Sequence, residues 1–560
     1  MPKLIECVPN FSEGRDLAVI RQITDQIETV DGVKLLDVDP GAATNRTVVT
    51  FVGEPEAVIE AAVRAGRKAA DLIDMSKHQG EHPRFGAMDV CPLVPIAGIT
   101  MEETVQYAHQ LAKRLGEEVG LTIFCYEFAA TKPERSNLAT VRAGEYEALP
   151  DRLKDPQWQP DFGPAEFQAR TGATAVGARN FLVAFNINLN TTSTRRANAV
   201  AFDVRERGRI KREGHPLLGP KVTDENGKTV WIPGSLKCVK GIGWFIEEYG
   251  ICQVSMNLTD ISVTSVHEAF DETSRKAEAR GIRVTGSELV GLIPLQAMLD
   301  AGRYFLRKQK RSTGVSDHEL IKIAIRSMGL DELKPFKPEE KIIEYMIDET
   351  AGRRLVDFSI RGFVEETASE SKAPGGGSVA ATLGALGAAL AAMVANLSSH
   401  KRGWDERWEG YSDWAEKGKA CYQTLLRLVD EDTAAFNAIV DSWKLPDATE
   451  AEKAAKEATV QAAVQRAIEV PFEVMQVALE SMEVAEAMAE TGLEASVSDA
   501  GVAALCARSA VMGAYLNVRI NAGDLQDETL RNQFLQQGAD LQAQAQEREQ
   551  RILSLVEGKL

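Results

Sequence analysis

The sequence has no Cys-x-x-Cys pair and no short Cys/His spacing; its seven cysteines (Cys7, Cys91, Cys125, Cys238, Cys252, Cys421, Cys506) are scattered through 560 residues. That excludes a zinc ribbon and a thioredoxin-like motif, and it fits reduced, mostly buried thiols in a cytosolic compartment. A basic footprint is missing as well. The net charge is −18, which argues against a nucleic-acid binder, because neutralising phosphates takes clustered Lys and Arg. It argues equally against adsorption to anionic lipid. Short basic clusters at 205–212 and 307–311 are solvated charge or a local seat for a small anion. Met1-Pro2-Lys3-Leu4-Ile5-Glu6 carries no signal-peptide apolar region. The most apolar run, 379–397, has the length of a membrane span. Its many Ala and Gly residues suit a buried helix packed closely against others. No short-period internal repeat is visible.

A chain of this length exceeds one core and suggests about three domains. Its character changes near residue 350. Before that point β-branched strands (33–38, 46–52, 121–126, 181–187, 252–258) alternate with amphipathic helices (56–72, 101–115, 266–280). The expected fold there is α/β or α+β in two subdomains, 1–179 and 180–328, with 170–179 as the seam. Turn signals in 207–237 mark an inserted hairpin. Residues 329–355, with Lys334-Pro335-Phe336-Lys337-Pro338, form the expected linker. From 356 to 560 the pattern is Ala/Leu/Glu/Gln-rich and helical, an all-α bundle.

Chemistry concentrates first in Met75-Ser76-Lys77-His78-Gln79-Gly80-Glu81-His82-Pro83-Arg84-Phe85-Gly86-Ala87-Met88-Asp89, a loop between a helix and an apolar strand. Loops on a rigid scaffold aim side chains, and histidine moves protons near neutral pH. His82, beside Gly80, Glu81 and Arg84, is the catalytic candidate. His78 is expected at a helix end, where the dipole favours its positive form. A His78/His82 metal site lacks a third ligand, and Pro83 and Gly80 spoil helical spacing, so no metal is expected. In strand 33–39, Asp37 and Asp39 share a face. Pro40-Gly41 ends that strand, so Asp39 at its tip either partners a histidine or caps the turn. The loop 158–165 (Trp158-Gln159-Pro160-Asp161-Phe162-Gly163-Pro164-Ala165) is a platform for a flat heterocycle or a packed connector.

In the helical half, Ala373-Pro374-Gly375-Gly376-Gly377-Ser378 opens onto a helix. Its amides suit an anion or carboxylate tail, or serve as a plain cap; a P-loop lysine is absent. Asp432 lies within an apolar stripe (Leu425, Val429, Phe436, Ile439, Val440), whereas Asp430 and Glu431 are expected to be solvated. A carboxylate on a buried face is costly unless it is paired or functional, and burial raises its pKa toward general-acid range. Asn517, Asn521, Ser498 and Asp499 either line the same cavity or bond helix to helix.

Several of these motifs, in order, resemble a known family. Glu6-Cys7-Val8-Pro9-Asn10-Phe11-Ser12-Glu13-Gly14, Leu36-Asp37-Val38-Asp39, Thr44-Asn45-Arg46-Thr47-Val48, Gly80-Glu81-His82-Pro83-Arg84, Asp161-Phe162-Gly163-Pro164 and Phe185-Asn186-Ile187-Asn188 are similar to glutamate formiminotransferases. Ala373–Ala381, Leu428-Val429-Asp430-Glu431-Asp432 and Gly513-Ala514-Tyr515-Leu516-Asn517-Val518 resemble formiminotetrahydrofolate cyclodeaminases. The order is that of the bifunctional formiminotransferase-cyclodeaminase family. This resemblance implies transfer of a formimino group from N-formimino-L-glutamate to N5 of tetrahydrofolate, then ring closure to 5,10-methenyltetrahydrofolate with loss of ammonia, as in histidine degradation. It implies His82 as acid–base catalyst oriented by Asp39, and Asp432 as the second site's catalyst. It implies folate contacts over Gly163, Pro164, Ala165, Glu166, Phe167, Gln168, Ala169, Arg170, Thr171 and Gly172, and at Gly375, Gly376, Gly377 and Ser378. Polyglutamylated tetrahydrofolate is the co-substrate, with no prosthetic group. The family resemblance further implies a cytoplasmic homo-oligomer, dimers assembled into a ring. Two alternatives stand beside it: a helical half that hydrolyses methenyltetrahydrofolate, and a catalytically silent scaffold.

Overall fold

The structure, a computed structural model, describes residues 3–42, 45–80, 84–214, 219–348, 354–371 and 373–560. It forms two compact units, Met1–Ala297 with Met328–Glu349, and Met298–Ser327 with Thr350–Leu560.

The first unit holds two main sheets. Strands β1 (Leu4–Cys7), β2 (Asn10–Phe11), β3 (Val33–Gly41), β4 (Arg46–Gly53), β5 (Met88–Ala97), β6 (Thr122–Glu127) and β7 (Ala173–Ala178) make the first. β1 and β2 both lie between β4 and β5, β3 pairs with β4, and β7 sits parallel between β5 and β6. The stretch expected as a seam, 170–179, therefore contains a fully buried strand. Its Ala/Thr/Gly composition lacks the bulky residues that mark strands, yet only small side chains fit there: a Cβ on Gly177 would lie 2.6 Å from the Tyr126 ring. Helices α1 (Leu17–Glu28), α2 (Pro55–Leu72) and α3 (Met101–Arg114) share this sheet's core. In α2, Val58, Ala62, Ala65 and Ala69 recur at helical spacing and are buried, with Pro55 in the first turn, where its missing N–H costs nothing.

Short helices α4 (Leu138–Val141) and α5 (Glu145–Arg152) precede the second sheet. That sheet comprises β8 (Val183–Leu189), β11 (Val239–Ile246), β12 (Ile251–Leu258) and β13 (Val284–Val290), antiparallel in the order β11-β12-β8-β13. Helices α6 (Thr194–Val204) and α7 (Val266–Glu278) pack on it. Between α6 and β11, the two-stranded β9 (Arg209–Ile210) and β10 (Trp231–Ile232) form the hairpin expected in 207–237.

Sequence order and packing interleave after residue 297. Helices α8 (Leu295–Lys308) and α9 (Asp317–Met328) contribute 298–327 to the second unit. There the Thr313 amide donates to Ser412 at 3.0 Å and Lys419 pairs with Asp317 at 2.6 Å. Most of the expected linker 329–355 instead packs with the first unit, which takes in Met328–Glu349: α10 (Pro338–Lys341) and α11 (Ile343–Asp348) are tied to the segment after β13 by Ile293 N–H to Lys341 O (3.0 Å) and Leu295 N–H to Glu344 (2.7 Å).

The second unit is helical: α12 (Ile360–Thr367), α13 (Gly376–Ser399), α14 (Trp408–Ser442), α15 (Glu450–Thr491), α16 (Val497–Ala522) and α17 (Glu528–Glu557). α13 packs against α14, α15 and α16 through Ala381, Ala388, Ala391 and Ala395. Small residues let these helices approach closely; a Cβ on Gly387 would sit 2.9 Å from Ala503 O. Two segments, Gly376–Ser399 and Glu494–Ala522, are long and apolar enough to cross a membrane, and both belong to this packed core. Run 379–397 is accordingly a buried helix, with Leu386, Met393 and Leu397 exposed along one side.

Candidate active sites

His82, Glu81 and Pro83 lie outside the described residues; their flanks show how the loop is held. On one side Asn45, at φ +49°, donates from Nδ2 to Gln79 O (2.9 Å) and accepts from the Gly14 amide (3.0 Å). The Asn45 carbonyl meets His78 Nε2 at 2.7 Å. A carbonyl only accepts, so Nε2 carries the proton there. His78 is thus a buried structural donor; α2 ends at Leu72, and the helix-end role expected for His78 does not hold. On the other side Arg84 donates to Glu147 (2.9 Å) and Met75 O (3.0 Å) and lies 4.8 Å from the Tyr146 ring centroid.

The segment 163–172 adjoins this loop. Thr171 O accepts from Ala87 N–H at 2.8 Å, Arg170 O from Met75 N–H at 2.9 Å, and Gly172 bridges to Gly86. Phe167 packs on Tyr146 with centroids 5.4 Å apart, and Pro164 O accepts from Thr122 at 2.9 Å. Gly163 has φ +78° and a hypothetical Cβ 1.9 Å from Leu121 O, so only glycine fits. Ala165, Glu166, Ala169 and Arg170 are exposed, while Gln168 is half-buried. The preceding loop is a packed connector. Trp158 sits edge-on to Phe124, with the Arg152 guanidinium 3.7 Å from its ring centroid. Asp161 accepts from the Cys125 amide (2.7 Å) and from the fully buried Arg135 (2.8 Å).

Asp39 is exposed and does not cap a turn at the strand tip, because β3 continues through Pro40 to Gly41, opposite Arg46. Asp39 and Asp37 do share a face, opposite Val48 and Thr50; burial, then the Asp39 charge, raises the Asp37 pKa.

A cavity of about 850 Å³ in this unit is lined by Asn10, Tyr126, Arg142 and Arg179 from the first sheet's side and by Lys240 and Asp260 from the second's, among others. None of 163–172 lines it. Arg142 reaches Asp89 at 3.0 Å, and Arg46 bonds the same carboxylate and Asn10 (3.0 Å). Two guanidiniums thus share one buried carboxylate behind the cavity wall, and of the two Arg142 lines the cavity itself. Glu6, buried nearby, is pushed up to about 7 by desolvation, against the pull of Arg179. Sequence reasoning missed this group: Arg46 and Arg142 are 43 and 53 positions from Asp89, and no local pattern joins them.

In the second unit Asp432 sits on α14 facing the start of α13. Its Oδ2 accepts from the Ser378 amide (2.8 Å) and hydroxyl (3.0 Å). The anion at this helix start is therefore the protein's own carboxylate, favourably placed on the dipole. Burial outweighs those bonds and raises the Asp432 pKa. A Cβ on Gly377 would lie 2.0 Å from Asp432 Oδ1, so glycine admits the carboxylate. A pocket of about 110 Å³ opens here, lined by Gly375, Gly376, Gly377, Asp432, Thr433, Phe436, Ile439, Asn517 and Asn521, among others. The stripe predicted on α14 splits: Leu425 and Val429 enter the core, whereas Asp432, Phe436 and Ile439 face the pocket. Asn517 and Asn521 join it; Ser498 and Asp499 do not. Asp430 is not simply solvated, since it accepts from the Leu355 amide at 2.7 Å and burial raises its pKa. Glu431 pairs with Arg427 and Arg466.

An α/β unit with a large polar cleft and a helical unit with a buried acid at a glycine-lined pocket define a chain with two candidate sites. Family models match along it: the formiminotransferase domain, N-terminal subdomain, at 4–179, the formiminotransferase domain at 184–348, and formiminotransferase-cyclodeaminase at 359–540. A mouse protein named formimidoyltransferase-cyclodeaminase is 42% identical over 560 residues, covering 100% of both chains. A glutamate formimidoyltransferase of Streptococcus pyogenes is 41% identical over 307 residues, 55% of this chain and 94% of its own. A methenyltetrahydrofolate cyclohydrolase of Methylorubrum extorquens is 37% identical over 202 residues, 36% of this chain and 97% of its own. The chain belongs to the formiminotransferase-cyclodeaminase family.

Proposed function

We propose that the chain is a bifunctional folate enzyme. It moves the formimino group from N-formimino-L-glutamate to N5 of tetrahydrofolate, then closes 5-formiminotetrahydrofolate to 5,10-methenyltetrahydrofolate with release of ammonia. The observation that carries this reading is the full-length match at 42% identity to a relative named for both activities.

In the first step N5 attacks the formimino carbon and the glutamate amine departs. His82 removes the N5 proton and returns one to the amine, and Asp39 orients it. Arg142 and Arg179, which line the cleft, suit the substrate carboxylates, and the segment 163–172 holds folate. In the second step N10 attacks the same carbon and loses its proton, the C–NH₂ bond breaks, and nitrogen leaves as ammonia after taking a proton. Asp432, whose burial favours the protonated acid, supplies that proton, and Gly375–Gly377 border the pterin, whereas Ser378, expected to join them, is buried behind and holds Asp432.

A polyglutamate tail tethering folate between sites raises its local concentration. The exposed stripe Leu386, Met393 and Leu397 supports self-association of a cytoplasmic homo-oligomer.

A coupled assay tests the reading: formiminoglutamate plus tetrahydrofolate, following methenyltetrahydrofolate absorbance and ammonia, on wild type, His82→Ala and Asp432→Ala. Transfer lost in the first variant, and formiminotetrahydrofolate accumulating in the second, are expected. The similarity to a protein named methenyltetrahydrofolate cyclohydrolase favours hydrolysis as the second reading of the helical half; methenyltetrahydrofolate consumed with no ammonia made would select it. Wild type inert in both steps would select the scaffold.

A further inference from the structure

The small pocket beside Asp432 is bordered by two asparagines on one face of α16, Asn517 and Asn521, four residues apart. Their amide orientations follow from their partners. Asn517 Nδ2 donates to Gly513 O at 3.0 Å, and Asn521 Nδ2 donates to Ala467 O on α15 at 2.7 Å. A backbone carbonyl can only accept, so each amide nitrogen is committed to it and each Oδ1 is the atom left over. Among the described residues neither Oδ1 takes a protein hydrogen bond. Asp432 is arranged in the same way: both Ser378 bonds fall on Oδ2, leaving Oδ1 beside Gly377. Gly376 brings the two walls together, because its hypothetical Cβ lies 3.3 Å from Asn517 Nδ2 and 3.4 Å from Asn517 Oδ1.

The residues lining the pocket therefore include two neutral amides with acceptor capacity to spare, at Asn517 Oδ1 and Asn521 Oδ1, beside the acid Asp432. Two amide oxygens placed together beside an acid suit a ligand group rich in N–H and positive in charge. We infer that Asn517 and Asn521 are specificity-determining residues that receive the formimino nitrogen, so that the pocket selects a folate carrying –CH=NH₂⁺ at N5 over one carrying a carbonyl oxygen there. This rests on the cyclodeaminase reading of the helical unit. The formimino nitrogen offers two N–H groups before ring closure. After N10 has bonded to carbon and Asp432 has passed its proton to nitrogen, the departing ammonia offers three, one for each asparagine oxygen and one for the Asp432 carboxylate thus formed. A formyl oxygen offers none, so both asparagine oxygens would lose their partner and face another acceptor.

The test uses the full-length protein supplied with 5-formiminotetrahydrofolate, so that the transfer step is bypassed, with 5-formyltetrahydrofolate as competitive inhibitor. Asn517→Ala removes only a bond within α16. Asn521→Ala also removes a tie between α16 and α15, so thermal melting of both variants accompanies the kinetics. The expected result is a fall in kcat/KM for the formimino substrate of about 10- to 100-fold per residue, the range for losing a hydrogen bond to a charged group. The inhibition constant of the formyl compound should stay level or tighten. If the formyl compound weakens by the same factor, or if neither constant moves, the asparagines do not read the nitrogen and the inference is overturned. If the wild type releases no ammonia from 5-formiminotetrahydrofolate, the cyclodeaminase reading itself has failed, a result distinguishable from either.

Discussion

Replacing Gly377 with alanine should disable ring closure while sparing transfer. The added Cβ would sit 2.0 Å from Asp432 Oδ1, 2.5 Å from Cγ and 2.7 Å from Oδ2. Ordinary carbon–oxygen contact needs about 3.4 Å or more, so the carboxylate must retreat by more than about 1 Å. The start of α13 cannot move instead, because Ser378 behind it is fully buried and bonded through its hydroxyl to Val429 O at 3.0 Å. Retreat breaks the bond from the Ser378 amide to Asp432 Oδ2 that fixes the carboxyl group. A displacement near 1 Å at a reacting group costs about 10²-fold in rate. Ammonia release from 5-formiminotetrahydrofolate should therefore fall by about 100-fold, with formimino transfer, measured as glutamate release, unchanged. A variant that closes the ring at the wild-type rate would refute the placement of Asp432 as the proton donor.

Glu6→Gln tests the burial of Glu6. Its carboxyl binds a proton more tightly when folded, at about 7, than at its ordinary value of 4.5; the fold is then favoured at low pH and loses about 3 kcal/mol as pH rises through that window. In urea titrations the variant should exceed wild type by less than about 1 kcal/mol at pH 5 and by about 3 at pH 8, and a gap independent of pH would reject the assignment. Arg135→Ala leaves Asp161 buried without its cation and frees the loop leading into Gly163. Thermal melts should show destabilisation of about 3–5 kcal/mol, and an unchanged melt would contradict the packing described. Because burial raises the Asp432 pKa and its acid form donates, the ring-closure rate should decline as pH climbs through that pKa. An ascending limb in Asp432→Glu and wild type alike would argue for a base instead.

Local periodicity made much of the molecule legible. The 3.6-residue repeat placed Asp432 on the same side of α14 as Leu425 and Val429 before any partner was known, and alternation put Asp37 and Asp39 on one strand face. The small residues of α13 announced a closely packed helix. Where a segment's role depended on its neighbours, local pattern failed. β7 is too poor in bulky residues to look like a strand, and is one because Tyr126 and the flanking strands leave space only for small side chains. Asp430 looked like a solvated charge and instead accepts from the amide of Leu355, 75 positions away.

What the sequence by itself determined was the family, the α/β-then-helical order, and the residue types that the chemistry requires. Those are properties of short segments, set by side-chain period and covalent spacing. Only the tertiary structure decided how these segments meet. It interleaved 298–327 with the helical unit and 328–349 with the first, and it joined Arg46 and Arg142 on Asp89. It also set Ser378 against Asp432 across 54 residues and brought two asparagines to the same pocket. Such contacts arise because buried polar groups must find partners wherever the fold brings them, and chain separation carries no record of that choice.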